Sequence, residues 1–345
     1  MDYLKSRLDG ILTSRALPEH DYLFDLSLRC GTLLEEEKTP YREASQSGLC
    51  GGLLDFTADE ERLPLIIVPD LHARAEFFRH ILHFSLPADF VPHDGTERLC
   101  VLDALLLHKV RLLCVGDLLH SELRGRERWI MALSDFKGGN YAGTSMTDEM
   151  TEGLSLLCAV MELKCAIPAY FHVLKGNHEN IMNERSVGNF PFRKFADEGA
   201  MVFRFMQSVY GDDVLMTISS VEKALPLVAA FPECVVSHAE PAYAYSRSQL
   251  INGMDDDQLI QSVTWTANDD ALDGSCELML AELTGNSDAL YFGGHRPIQG
   301  TCTFRQGGKY IQIHNPEREF VTLIRTDRIF DPDTDIIDVS KNQND

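Results

Sequence analysis

From residue 64 the chain alternates short apolar, β-rich runs with segments of helical character. LPLIIVP precedes AEFFRHILHF, VRLLCVG precedes a long insertion, and AYFHVLKG precedes a helix-rich stretch to about residue 230. This β-then-α rhythm is that of a layered α/β fold. Further strands are expected at ECVVSH, DALYFGG, TCTFRQGGKYIQIHN and EFVTLIRT, with the Gly307, Gly308 pair suited to a hairpin turn. The main domain is therefore expected over residues 64–326. Residues 1–63, an amphipathic helix followed by polar stretches such as EEEKTPYREASQSG, are expected to form an N-terminal extension packed on it. Residues 327–345 read as an acidic C-terminal tail that frays. No internal repeat is found.

At 345 residues, 44% hydrophobic and 24% charged, the chain has the size and balance of a globular protein with a substantial core. No run approaches the roughly 18 to 20 apolar residues of a membrane span, and MDYLKSRLDGILTSRALPEH lacks a signal-peptide core. A cytoplasmic protein without membrane contact is expected. The nine cysteines are odd in number and contain no Cys-x-x-Cys pair, and Cys114, Cys158 and Cys234 lie inside apolar runs, as reduced thiols do. A formal charge of −22 argues against nucleic-acid binding, which clustered Lys and Arg drive. A small anionic substrate would need a local positive element, either metal ions or a few placed arginines.

The polar residues at the strand ends sharpen this. Asp70 and His72 follow LPLIIVP, Gly116 and Asp117 follow RLLCV, Asn177 and His178 follow FHVLKG, His238 follows ECVVS, and His295 follows ALYFGG. Taken singly, Asp117 could cap a helix and His238 could be an ordinary hydrogen-bonded histidine. Together, five apolar strands end on the carboxyl side in metal-capable residues, at the edge where open α/β sheets bind ligands. Carboxylates, imidazoles and an amide oxygen suit manganese, iron or zinc better than thiolate-preferring ions. Six candidate ligands exceed what one ion takes, whereas two ions about 3.5 to 4 Å apart sharing a carboxylate can clamp a phosphoryl transfer.

These residues resemble the calcineurin-like metallophosphoesterases, and within them the phosphoprotein phosphatase (serine/threonine phosphatase-like) branch. The family's order of Asp-x-His, Gly-Asp, Gly-Asn-His-Glu, His and Gly-His reads here as DLH at 70–72, GD at 116–117, GNHE at 176–179, SH at 237–238 and GGH at 293–295. LKGNHE, ALPLVAAFPECVVSHAEP and VTWTANDD are similar to stretches of the phosphatase branch. The resemblance implies a four-layer sandwich of two mixed β-sheets flanked by helices. It also implies two divalent ions, manganese first with iron or zinc as alternatives. By position, Asp70 and His72 would hold the first ion, Asp117 would bridge, and Asn177, His238 and His295 would hold the second. His178 would be the general acid and Glu179 a partner supporting the ligands. The implied activity is hydrolysis of phosphomonoesters, on a phosphorylated protein or a small phosphoester, by a metal-activated hydroxide. The alternatives are a dinucleoside polyphosphate hydrolase and a metal-bearing binding protein without catalysis.

The departures are specific. Where the phosphatases write Gly-Asp-x-Val-Asp-Arg-Gly, this chain has GDLLHSE, with His120 and Ser121 in place of the Asp-Arg pair. Pro69 and Ala73 replace the glycines flanking Asp-x-His, and Ala239 and Glu240 replace two further glycines. Phosphate contacts are then sought at Arg296, Arg124, Arg126 or Arg185, although each reads more readily as an ordinary surface arginine. SDFKGGNYAGTSMTDE, residues 134–149, reads as a surface loop or as a lid over the metals.

Overall fold

The computed structural model describes residues 2–91 and 98–341. Eleven strands form two sheets: β1 (Leu53–Asp55), β2 (Leu65–Val68), β3 (Arg111–Cys114), β4 (Phe171–Val173), β5 (Val228–Ala230), β6 (Cys234–Ser237), β7 (Leu290–Gly293), β8 (Thr303–Arg305), β9 (Tyr310–Gln312), β10 (Phe320–Ile324) and β11 (Ile336–Asp338). One sheet has the order β11-β10-β2-β3-β4 and the other β1-β5-β6-β7-β9-β8. Both are mixed. In the first, β2, β3 and β4 run parallel, β10 pairs antiparallel with β2 and β11 antiparallel with β10; in the second, β6, β7 and β9 run parallel.

Side-chain alternation along these strands builds four layers. Leu65 and Ile67 of β2, Leu113 of β3, Cys234 and Val236 of β6, Phe292 of β7 and Ile311 of β9 share one core between the sheets. Their neighbours Ile66, Val68, Leu112 and Cys114 face helices on one outer side, and Val235, Tyr291 and Tyr310 face helices on the other. Being buried on both faces, the strands read as unbroken apolar runs, as parallel strands do. The architecture is the expected one, two mixed sheets flanked by helices.

The chain's first residues contribute directly to this frame. Helix His20–Glu35 places Leu23, Leu26, Cys30 and Leu34 in the outer core beside Leu157 and Met161 of helix Thr144–Ala166 and Leu215 and Ile218 of helix Gly211–Ala224. β1 pairs parallel with β5 as the edge of the second sheet. Arg42, fully buried, donates to the carbonyls of Gly51, Leu34 and Ala224 and pairs with Glu37, which also takes the Lys164 ammonium at 2.6 Å.

Two expectations are corrected. The acidic tail does not fray from 327: Asp335 takes Arg325 and Arg328, and β11 pairs antiparallel with β10. Residues 342–345 of that tail lie outside the described residues. The polar stretch 134–149 is not a long loop, because helix Arg126–Lys137 runs into its beginning and helix Thr144–Ala166 starts within it. Only a short glycine-containing turn separates them. No helix of the described residues is long and apolar enough to cross a membrane.

Candidate metal centre

The carboxyl ends of β2, β3, β4, β6 and β7 meet at one place, and backbone turns fix their side chains there. His72, Asp117 and His295 each have φ between 43° and 63°, a left-handed conformation uncommon for non-glycine residues, so each turns the chain sharply as its strand ends. Hydrogen bonds lace the turns together. His72 N–H donates to Asp117 O (2.7 Å), His178 N–H to Asp117 Oδ1 (2.9 Å), His295 N–H to Asp70 Oδ2 (2.9 Å) and Gly294 N–H to His238 O (2.8 Å). The approach is so close that any side chain at Gly176 would strike Asp117 Oδ1, and any at Gly294 would strike Asp70 Oδ1.

Asp117 sits in the middle. Its Oδ2 lies 3.6 Å from His72 Nε2 on one side and 3.4 Å from His238 Nε2 on the other. On the first side Asp70 Oδ2 is 3.8 Å from His72 Nε2. On the second, Asn177 Oδ1 lies 2.9 Å from His238 Nε2 and 3.0 Å from His295 Nδ1. The ring tautomers follow from the far nitrogens: His72 Nδ1–H donates to His120 O at 3.1 Å and His238 Nδ1–H to Val115 O at 3.0 Å, so both Nε2 atoms turn lone pairs inward. Glu179 is an anchor. Its carboxylate accepts the N–H groups of Asp117, Leu118 and Gly176 at 2.7 to 2.9 Å.

The electrostatics of this cluster fit bound cations. Burial lowers the His72 imidazole to about 4, lowers His238, and holds His295 well below the ordinary range, so all three are neutral and ready to ligate. Burial, with Glu179 and Asp70 close by, pushes the Asp117 carboxyl well up. Asp70 Oδ1 and His295 Nε2, both buried, have no hydrogen-bond partner among the described residues. A buried surplus of acceptors and negative charge is what divalent ions offset.

His178 stands at the same centre, grouped with His72 and Asp117. Its Nδ1 faces His120 Nδ1 at 3.1 Å, its Nε2 stands 3.7 Å from Asp117 Oδ2, and Phe192 covers its ring at 3.7 Å between centroids. His120 Nε2 has no hydrogen-bond partner among the described residues, and placing the hydrogen of His120 on Nδ1, donated to His178 Nδ1, leaves no N–H of the pair unmet there. His178 therefore carries its own hydrogen on Nε2, towards the centre. Burial, reinforced by His72 and His120, holds its pKa well below the usual range. Ser121 binds Glu149 through its N–H and Oγ.

The arginines are placed differently. Arg124 pairs with Glu152 and donates to the carbonyls of His72 and Ala73, so it supports the first turn. Arg126 and Arg185 are exposed, Arg185 lying 5.7 Å from the Phe190 ring. Phe190 contacts Trp265, whose ring meets His295 edge-on. Arg296 is exposed beside His295. Three residues at the centre escaped the sequence: His314 at the end of β9, Glu122, and Lys194, whose Nζ reaches Glu122 Oε1 at 2.6 Å. Burial pushes the Glu122 carboxyl up, but His72, His314 and Lys194 outweigh it and hold it low.

No family model and no curated protein matches the sequence. Among solved structures, a protein serine/threonine phosphatase from Saccharomyces cerevisiae with similarity to human phosphatase PP5 superposes with a TM-score of 0.54 at 14% identity, over 93% of this chain and 89% of that one. A cold-active protein-tyrosine phosphatase of a psychrophilic Shewanella (TM-score 0.44, 10% identity, 80% of each chain) and a candidate diadenosine tetraphosphatase (0.42, 13%, 83% of this chain and 96% of that one) superpose more loosely and add nothing to the first. The chain shares its fold with that yeast serine/threonine phosphatase.

Proposed function

We propose that this protein is a metal-dependent phosphoesterase that hydrolyses phosphomonoesters, with a centre for two divalent ions. The observation that carries the reading is the position of Asp117 Oδ2, within 3.6 Å of ligand nitrogens on both sides. Asp70 and His72 would hold one ion, Asn177, His238 and His295 the other, and Asp117 both. Manganese, iron and zinc all suit these donors. Ions bound there supply a water of lowered pKa and positive charge for the phosphoryl oxygens.

The chain's own residues do the rest. His178 presents Nε2–H to the centre and donates it to the leaving oxygen. His120 fixes that hydrogen's place. Arg296 and Arg185 are exposed cations that would meet the substrate's phosphate, while Arg124 holds the His72 turn. The substrate class is a phosphorylated protein or a small phosphoester, since the likeness is to a protein phosphatase and the acidic surface disfavours nucleic acid. Nine unpaired cysteines support a reducing, cytoplasmic setting.

The test is hydrolysis of para-nitrophenyl phosphate after reconstitution with manganese, zinc or iron. Turnover is expected with added metal, is lost on dialysis against a chelator, and returns when metal is restored. No turnover with any of the three contradicts the reading. Phosphopeptides compared with dinucleoside polyphosphates then fix the substrate class.

A further inference from the structure

His314 ends β9 just as the predicted ligands end their strands, yet it belongs to none of the five sequence elements. It is fully buried. Its Nε2 lies 2.9 Å from Glu122 Oε2, a carboxylate that can only accept, so the hydrogen is on Nε2 and Nδ1 carries the lone pair. That lone pair has no partner among the described residues. Nδ1 lies 3.8 Å from Asp70 Oδ2, too far for a hydrogen bond, and Asp70 Oδ1 is itself unpartnered. Asp70, His72 and His314 bring one ligand atom each within 4.8 Å of one another. Two atoms each about 2.1 Å from a shared ion stand roughly 3 to 4.2 Å apart, depending on angle, and 3.8 Å falls in that window.

We infer that His314 is a ligand of the first ion, and that Glu122, itself tethered by Lys194, fixes the imidazole ring for that task. The inference rests on the metal-centre reading above and extends it. The first half-site then holds Asp70, His72, Asp117 and His314, two carboxylates and two imidazoles. A second nitrogen donor moves that half-site away from manganese and towards zinc or ferrous iron, because imidazole favours those ions over the hard, oxygen-preferring ones. The carboxylate–imidazole–metal relay also raises the basicity of the ligating nitrogen.

The experiment is a chelator-competition titration of the full chain with zinc, cobalt and manganese, without substrate. It is paired with proton NMR of the cobalt-loaded protein, in which ligating imidazoles give strongly shifted exchangeable N–H signals. In the unaltered protein two ions are expected to bind, with zinc preferred over manganese at one half-site. A shifted N–H signal from His314, shielded from exchange by Glu122, is also expected. His314→Gln should lose that signal and weaken one ion by on the order of 10²-fold, the other holding its affinity. Should that variant not fold, Glu122→Gln is the second arm, expected to displace the same signal and weaken the same ion by roughly 10-fold or more. If the unaltered protein binds two ions and the variants bind both with unchanged affinity and unchanged shifted signals, the inference is overturned while the centre stands. If the unaltered protein binds no ion, both fall.

Discussion

Asp117→Asn is expected to abolish hydrolysis and to weaken both metal half-sites together. Asp117 Oδ2 lies within 3.6 Å of both His72 Nε2 and His238 Nε2. An amide there keeps the shape and, through its oxygen, the hydrogen bond from His178 N–H, but removes the charge two cations would share. The loss of affinity should exceed the roughly 10- to 100-fold typical of removing an outer partner of a ligand. The sign of the stability effect separates this from misfolding. Burial holds the Asp117 carboxyl well above its ordinary range, so without ions its ionised form opposes folding near neutral pH. The asparagine variant, stripped of metal, should therefore melt no lower than the unaltered protein stripped of metal. A variant that keeps full turnover, or binds one ion normally, would show that Asp117 is not the shared ligand.

His178→Asn is expected to act on chemistry and leave metal content nearly unchanged. Its Nε2 lies 3.7 Å from Asp117 Oδ2 at the edge of the centre, while its Nδ1 meets His120 and Phe192 covers its ring. Protonating a poor leaving alkoxide is typically worth about 10² to 10⁴ in rate. Turnover on alkyl phosphates should fall by that order, and far less on aryl phosphates, whose leaving group needs little protonation. Equal losses on both substrates would count against a proton donor. The loss of one ion would make His178 a ligand instead.

The central strands and their polar ends were legible because apolar runs buried on both faces stand out and each is followed at once by its metal-capable residue. β1, β5 and β11 were not. Each is three residues long, and β11 lies in an acidic stretch whose pairing with β10 depends on Asp335 meeting Arg325 and Arg328. The stretch 134–149 misled because glycine and serine outweighed, by composition, the helices that enter and leave it. His314 was available to the same logic that found His238, since it follows YIQI as His238 follows CVVS. It passed unnoticed as the end of a hairpin. Glu122 and the His120–His178 contact could not be read, because they depend on loops far apart in sequence meeting in space.

The central claim is a centre for two ions, and its most direct measurement is elemental analysis of the protein after equilibrium dialysis against saturating manganese or zinc. About two ions per chain are expected, falling towards none with Asp117→Asn. No more than one ion per chain at saturation would contradict it.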